Sequence, residues 1–184
     1  MQHARFSSFP LLRLLALCAA LLAPLAAHAD EYSDVNQLLR SGKPAEALAR
    51  ADRYLAAKPR DPQMRFLRAV VLTESGRAAD AMAAYSALVQ EHPELPEPHN
   101  NLAVLYAGQG QFDKAREALE MALRANPDYA TAHENLGDVY LQLARQSFVR
   151  AAQIDPTSNS ARAKLAQSNA AAPTAPASPA RRLP

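Results

Sequence analysis

The chain has 184 residues, which suggests a single domain, or one domain with tails. Hydrophobic residues make up 49% of it, but much of that share is Ala and Leu; aromatic residues amount to 6% and Trp is absent. Because Ala and Leu favour helices and β-branched residues are sparse, the composition disfavours a β-sheet protein and predicts an all-α fold.

Residues 1–29 have the three parts of a secretory signal peptide. The start carries Arg5 and Arg13 and no acid, an apolar run follows, and the segment ends in Ala27-His28-Ala29. The apolar run is short and interrupted, which disfavours a membrane-spanning helix. We therefore expect cleavage after Ala29 and export to a Gram-negative-type periplasm; an uncleaved membrane anchor is the main alternative.

Cleavage would also change what the charge and cysteine content mean. Loss of the two arginines leaves 18 basic and 18 acidic residues, so the formal net charge of +2 does not indicate a nucleic-acid partner. The single cysteine, Cys18, would leave with the signal. The mature chain is then predicted to have no disulfide, no cysteine metal site and no thiol nucleophile.

A period of 34 residues runs through the rest of the chain. Gly recurs at this spacing where a helix must stop, Ala where two helices must approach closely, and Pro where a second helix must end. The period is that of a helix–turn–helix repeat. The marks are Gly42, Gly76 and Gly110, then Ala47, Ala81 and Ala115, then Pro59, Pro93 and Pro127.

The apolar pattern between these marks predicts six helices in three hairpins. A further stretch, 131–154, has no Pro and only one Gly, Gly137. It predicts one long helix, the alternative being a tight turn near Ala144 to Gln146. Ser160–Gln167 is predicted to form a polar capping helix, and 169–184 is a Pro-rich segment expected to be disordered. The six helices are expected at 31–41, 44–57, 62–75, 78–91, 97–109 and 112–125.

These marks resemble the tetratricopeptide repeat family over nearly the whole mature chain. The resemblance implies a right-handed solenoid of about three and a half helical hairpins, here residues 30–168. Two features depart from the family pattern: Asp34 stands where Leu is usual, and the fourth unit is about five residues short, with Ala144 at the Gly position. The matching residues are Leu102, Ala103, Tyr106, Gly110, Ala115, Ala122 and Pro127, then Leu136, Gly137 and Tyr140.

No catalytic motif is visible in the sequence. It contains no H-E-x-x-H, no Gly-rich phosphate loop and no G-x-S-x-G. His99 and His133 occupy the same repeat position and are interpreted as packing or surface residues. We therefore expect no enzyme activity, cofactor, metal ion or small-molecule substrate.

The candidate site is the concave face, which the first helix of each hairpin lines in this family. Residues three, four and seven apart share a helix face, and Glu97 lies on the same face as the candidates of its helix. Related repeats place an Asn at the positions of Asn101 and Asn135 to bond a peptide backbone; alternatively, both bridge helices. The candidates are Tyr32, Asn36, Phe66, Val70, Asn100, Asn101, Val104, Glu134, Asn135 and Asp138.

These observations predict an adaptor, scaffold or assembly factor of the periplasm that holds an extended peptide or a partner's helix. The inner positions offer no Lys and at most Arg40, so basic or apolar segments are expected rather than acidic C-termini. No nucleic-acid partner is expected, and membrane contact only if the signal remains. The alternatives are a self-associating structural protein and a membrane-anchored envelope protein without a peptide-binding role.

Overall fold

The computed structural model describes residues 31–171, and all regular elements in that range are α-helices. The all-α prediction is confirmed, and the predicted hairpin helices match within one residue at each end. The first helices of the hairpins are α1, α3 and α5, and the second helices are α2, α4 and α6. The elements are α1 (31–40), α2 (Pro44–Ala57), α3 (Pro62–Glu74), α4 (Ala78–Glu91), α5 (Pro96–Gly108), α6 (Phe112–Ala125), α7 (Ala130–Ile154) and α8 (Asn159–Ala170).

The turn inside each hairpin depends on a left-handed glycine. Gly42, Gly76 and Gly110 have φ angles of 71°, 73° and 71°, and no non-glycine residue in the described range has a positive φ. The N–H group after each glycine donates to a carbonyl five residues earlier, as in a Schellman cap. The requirement for glycine is conformational, because an added Cβ would meet no atom within 4 Å. The three bonds are Lys43 to Leu38, Arg77 to Leu72 and Gln111 to Tyr106, each 2.9 Å.

The turn between hairpins is also repeated, with a proline at its second position. Proline suits this position because its ring fixes φ near the value that the turn requires. The same turn follows α7 at Pro156, so α7 ends as a second helix ends. The bonds run from the N–H of Asp61 to Lys58 O, Leu95 to His92 O, Tyr129 to Asn126 O and Ser158 to Asp155 O, at 3.2–3.3 Å.

Each helix packs against its neighbours in the chain, which makes the fold a stack. Three buried clusters join α1 with α2 and α3, α3 with α4 and α5, and α5 with α6 and α7. The periodic alanines Ala47, Ala81 and Ala115 are completely buried. Complete burial agrees with the interpretation that small side chains at these positions let the paired helices approach closely.

The fourth unit is a single 25-residue helix, α7, so the long-helix prediction is confirmed and the turn near Ala144 is absent. At 1.5 Å per residue it is about 37 Å long. Because no hairpin returns along it, α7 packs against α8, where Lys164 Nζ lies 5.9 Å from the Phe148 ring centroid. The capping helix α8 is longer than predicted and continues to Ala170, so two residues assigned to the tail are helical.

The predicted signal peptide, 1–29, and the rest of the predicted tail, 172–184, lie outside the described residues. Within residues 31–171, every helix is too short or too polar to cross a membrane.

Candidate functional site

The ten candidate residues differ widely in exposure. Glu134 is exposed, whereas Tyr32, Asn36, Val104 and Asp138 are half-buried. The other five are buried inside the fold: Phe66, Val70, Asn100, Asn101 and Asn135. The predicted row of side chains is therefore not uniformly open, and its partly accessible members lie on α1, the middle of α5 and α7.

Two of the buried candidates belong to the hydrophobic core. Phe66 and Val70 cluster with Tyr85 and Leu102, and the rings of Phe66 and Tyr85 are 5.8 Å apart and tilted. Such tilted pairs are a favourable aromatic geometry. These α3 side chains therefore connect the second and third hairpins of the stack.

The three asparagines form a buried hydrogen-bonded chain. Asn135 Nδ2 donates to Asn100 Oδ1 at 2.8 Å, Asn100 Nδ2 to Asn101 Oδ1 at 3.2 Å, and Asn101 Nδ2 to Tyr85 Oη at 3.0 Å. Each residue is at most 2% exposed. The chain joins α7, α5 and α4, so these amides bridge helices, the alternative that the sequence left open.

Tyr85 is a member of this network that sequence reasoning missed. It lies on a second helix, α4, and nothing in its local pattern distinguishes it from an ordinary core aromatic residue. Its hydroxyl also lies 3.4 Å from Thr73 Oγ1. Burial raises the pKa of Tyr85 to about 12, with the hydrogen bonds of Thr73 and Asn101 acting in the opposite direction; the hydroxyl stays protonated at neutral pH.

At the other end of the stack, Tyr32 is held by the fold itself. Its hydroxyl donates to Asp61 Oδ2 at 2.5 Å, and Tyr54 donates to the same oxygen at 2.8 Å. Asp61 Oδ1 accepts from the Met64 N–H at 2.9 Å and so caps α3. Asn36 Nδ2 in turn donates to the carbonyl of Tyr32 at 2.9 Å. These contacts connect the first three helices.

The environment of Asp61 favours its charged form. Burial acts to raise the pKa of Asp61, but the hydrogen bonds from Tyr32, the Met64 N–H and Tyr54 outweigh it, and the pKa lies below its ordinary value. Hydrogen bonds to a carboxylate stabilise it in this way.

One buried carboxylate oxygen among the described residues has no hydrogen-bond partner. Glu97, in the first turn of α5, is 8% exposed, and no group among residues 31–171 donates a hydrogen bond to its Oε2. Burial raises the pKa of Glu97, with its own N–H acting in the opposite direction. Burial, followed by the charge of Glu97, raises the pKa of Tyr129 to about 12, so the two groups interact electrostatically.

The helix terminus does not account for this burial. A carboxylate in the first turn gains about 0.3–1 kcal/mol from the helix dipole. Removing a charge from water costs several kcal/mol unless good partners replace the water. Among the described acidic residues, Glu97 is therefore the one whose buried position is hardest to explain as a contribution to the stability of the fold.

The two histidines at matching repeat positions have matching contacts. His99 Nε2 lies 3.2 Å from Pro93 O, and His133 Nε2 lies 2.8 Å from Pro127 O. Each ring thus connects its helix, α5 or α7, to the turn before it, in agreement with the packing interpretation. In residues 31–171 no group of three or more His, Cys, Asp or Glu side chains could hold a metal ion.

The repeats are also detected by comparison with known families. Two family models, both described as tetratricopeptide repeat, match residues 35–96 and 72–136. Together they span more than half of the chain, and both describe a repeat rather than a catalytic family. No curated protein matches the sequence significantly.

Solved structures share the fold. A thermophilic TPR protein of Thermus thermophilus, TTC0263, is 24% identical with a TM-score of 0.57, over 78% of this chain and 81% of that one. The first TPR of Spaghetti (RPAP3) bound to the HSP90 peptide SRMEEVD is 18% identical with a TM-score of 0.58, over 63% and 92%. Naa15/Naa10 bound to HypK-THB is 18% identical with a TM-score of 0.56, and this chain spans only 22% of that one.

Proposed function

Because the chain belongs to the tetratricopeptide repeat family, we propose that it is a protein-binding adaptor or scaffold that holds an extended peptide or a partner's helix on its concave face. The observation that carries this proposal is the arrangement of α5 and α7. Val104 and Asp138 are half-buried and Glu134 is exposed, each within about one helical turn of the Asn100–Asn135 hydrogen bond.

That arrangement suits binding because it is preorganised. The buried amides hold α5 and α7 in a fixed relation, so little conformational entropy is lost when a partner docks beside them. Peptide binding has a precedent among the neighbours, since one of them is bound to an HSP90 peptide. The acidic residues in SRMEEVD would be repelled by Glu134 and Asp138, so the partner of this chain is of different charge.

We also propose that the protein acts in the periplasm after cleavage at Ala29. The basic start, the apolar run and the Ala27-His28-Ala29 ending support this location. N-terminal sequencing of the protein from the envelope fraction tests it: a first residue of Asp30 is expected. A chain that keeps Met1 in the membrane fraction would favour the anchored alternative.

Site-directed photocrosslinking tests the binding role. A photoreactive amino acid at Asp138 is expected to capture a partner protein in cells that express the full chain. The matched control is the same amino acid at Asp113, which is exposed on the second helix α6. Equal capture from both positions, or none from Asp138, would contradict binding on the concave face.

Self-association remains the second candidate, because α7 leaves apolar residues in contact with solvent. Tyr140 is 49% exposed and Ile154 is 71% exposed, as expected for a helix that no hairpin covers. Light scattering on the purified chain separates the two functions. A concentration-dependent increase in mass that Ile154→Ser abolishes would favour assembly, and a constant monomer mass would favour the adaptor.

A further inference from the structure

We propose that Glu97 is the recognition group of the concave face and pairs with the cationic side chain, Lys or Arg, of a bound peptide. This inference rests on the proposed peptide-binding function and specifies the chemistry of its ligand. Two observations support it: the unpartnered buried oxygen of Glu97 and the charge of the neighbouring part of the face.

The first observation is the state of the Glu97 carboxylate. It is more than nine-tenths buried, and its Oε2 accepts no hydrogen bond from the described residues. Buried polar groups in native proteins nearly always have a partner, and an exception calls for a specific explanation. A donor that arrives with a ligand provides one, and a cationic donor forms the strongest hydrogen bond with a carboxylate.

The second observation is the sign of the surrounding charge. Glu134 and Asp138 lie on the neighbouring helix α7, at a partly accessible part of the face. No Lys or Arg occurs between Pro96 and Gly108 or between Ala130 and Leu143. The part of the face formed by α5 and α7 therefore attracts cations and disfavours anions.

A further residue that bears on the inference is Tyr129, which is half-buried in the turn before α7. Burial raises the pKa of Tyr129, and the charge of Glu97 adds to this shift, so the two groups are close enough to interact electrostatically. A Lys or Arg side chain can lay its alkyl stem along such a ring while its charged end meets the acid. An apolar or acidic side chain would leave the carboxylate unpaired.

Peptide selection followed by a double-mutant cycle tests the assignment. A displayed library of random nonapeptides is selected on the full chain, on Glu97→Gln and on the control Glu117→Gln, an exposed acid of α6. We expect enrichment of Lys and Arg with the wild-type and control proteins, and its loss with Glu97→Gln. For a selected peptide, replacing its basic residue by Gln is expected to weaken binding to the wild type about 30-fold and to leave binding to Glu97→Gln almost unchanged.

Circular dichroism first confirms that the Glu97→Gln protein is folded. Enrichment that persists in Glu97→Gln, or selected peptides without enrichment, would overturn the role of Glu97 while leaving peptide binding intact. Selection of no peptide by the folded wild type would overturn the proposed function, and the inference with it.

Discussion

Asn135 on α7 donates a 2.8 Å hydrogen bond from Nδ2 to Oδ1 of Asn100 on α5, and both side chains are buried. The two residues are 35 positions apart in the chain, one position more than the repeat period. Their contact joins one repeat to the next through polar atoms, in addition to the apolar cluster in which Ala103, Ala132 and Val139 take part.

Replacing Asn135 by Ala is expected to lower the free energy of unfolding by about 1–3 kcal/mol, because Asn100 Oδ1 loses a buried donor. Urea denaturation followed by circular dichroism measures the change. The control is Gln153→Ala, which removes an exposed amide from the same helix and is expected to change stability by less than about 0.5 kcal/mol. Equal effects of the two variants would contradict a structural role for the asparagine chain.

The double variant Asn101→Ala/Asn135→Ala separates binding from stability. The asparagine positions alone predict weaker partner capture with unchanged helix content. Because both side chains lie in the buried chain, we expect weaker capture together with easier unfolding. Capture by the folded protein, measured well below its unfolding midpoint, decides the binding role; undiminished capture would limit the asparagines to holding the helices together.

The Tyr32→Phe substitution is expected to reduce stability by about 1.5–3 kcal/mol at pH 7, because Asp61 loses a donor to its charged oxygen. The pKa of Asp61 is lower in the fold than its ordinary value of 3.8. The stabilisation is therefore fully present above pH 3.8 and is lost as the pH falls through the folded pKa.

Urea unfolding of Tyr32→Phe and of the wild type, at pH 7 and again below pH 3, measures the difference between their free energies of unfolding. This difference should be smaller at the lower pH. Tyr140→Phe is the control, since that residue is half-exposed. A difference independent of pH would show that the Tyr32 hydroxyl stabilises the fold without acting on the Asp61 carboxylate.

Two glycine substitutions are expected to change the free energy of unfolding in opposite directions. Gly76→Ala places a side chain at φ 73° and should destabilise the fold by about 1–2 kcal/mol. Gly137→Ala lies inside α7, where an added Cβ meets no atom within 4 Å, and should stabilise it by about 0.5–1 kcal/mol. Thermal unfolding of both variants compares them directly. Destabilisation by both would imply that α7 does not run straight through position 137.

Glu97→Gln is expected to increase stability when no peptide is bound. The pKa of Glu97 is raised in the fold above its ordinary value of 4.5, so the wild type loses stability as the pH rises from 4.5 through the folded pKa. The Glu97→Gln protein should therefore be only slightly more stable than the wild type at pH 4, and the difference in stability should be larger at pH 7. Thermal melts at the two pH values test this, and a variant less stable than the wild type at pH 7 would indicate that a group within the protein pairs with Glu97.

The local architecture could be derived from the sequence because its causes are local. Glycine, as at 42, 76 and 110, can adopt a positive φ without help from tertiary contacts. Proline, as at 59, 93 and 127, ends a helix through its own covalent structure. The same reasoning predicted α7 as one helix, since no residue from 138 to 154 interrupts it. The observed α8 continues past the predicted end at Gln167, because the residues up to Ala170 carry no strong stop signal.

The state of each side chain on the concave face was decided only by the tertiary structure. Spacing places Asn100, Asn101 and Asn135 on one face, but which of them meet depends on how α5 and α7 pack. Tyr32 had a place on the predicted face, yet Asp61, 29 positions away, holds its hydroxyl. The burial of Glu97 likewise depends on atoms brought from elsewhere in the chain. Backbone turns are determined by residues close in sequence, whereas side-chain hydrogen bonds and burial are determined by residues close in space.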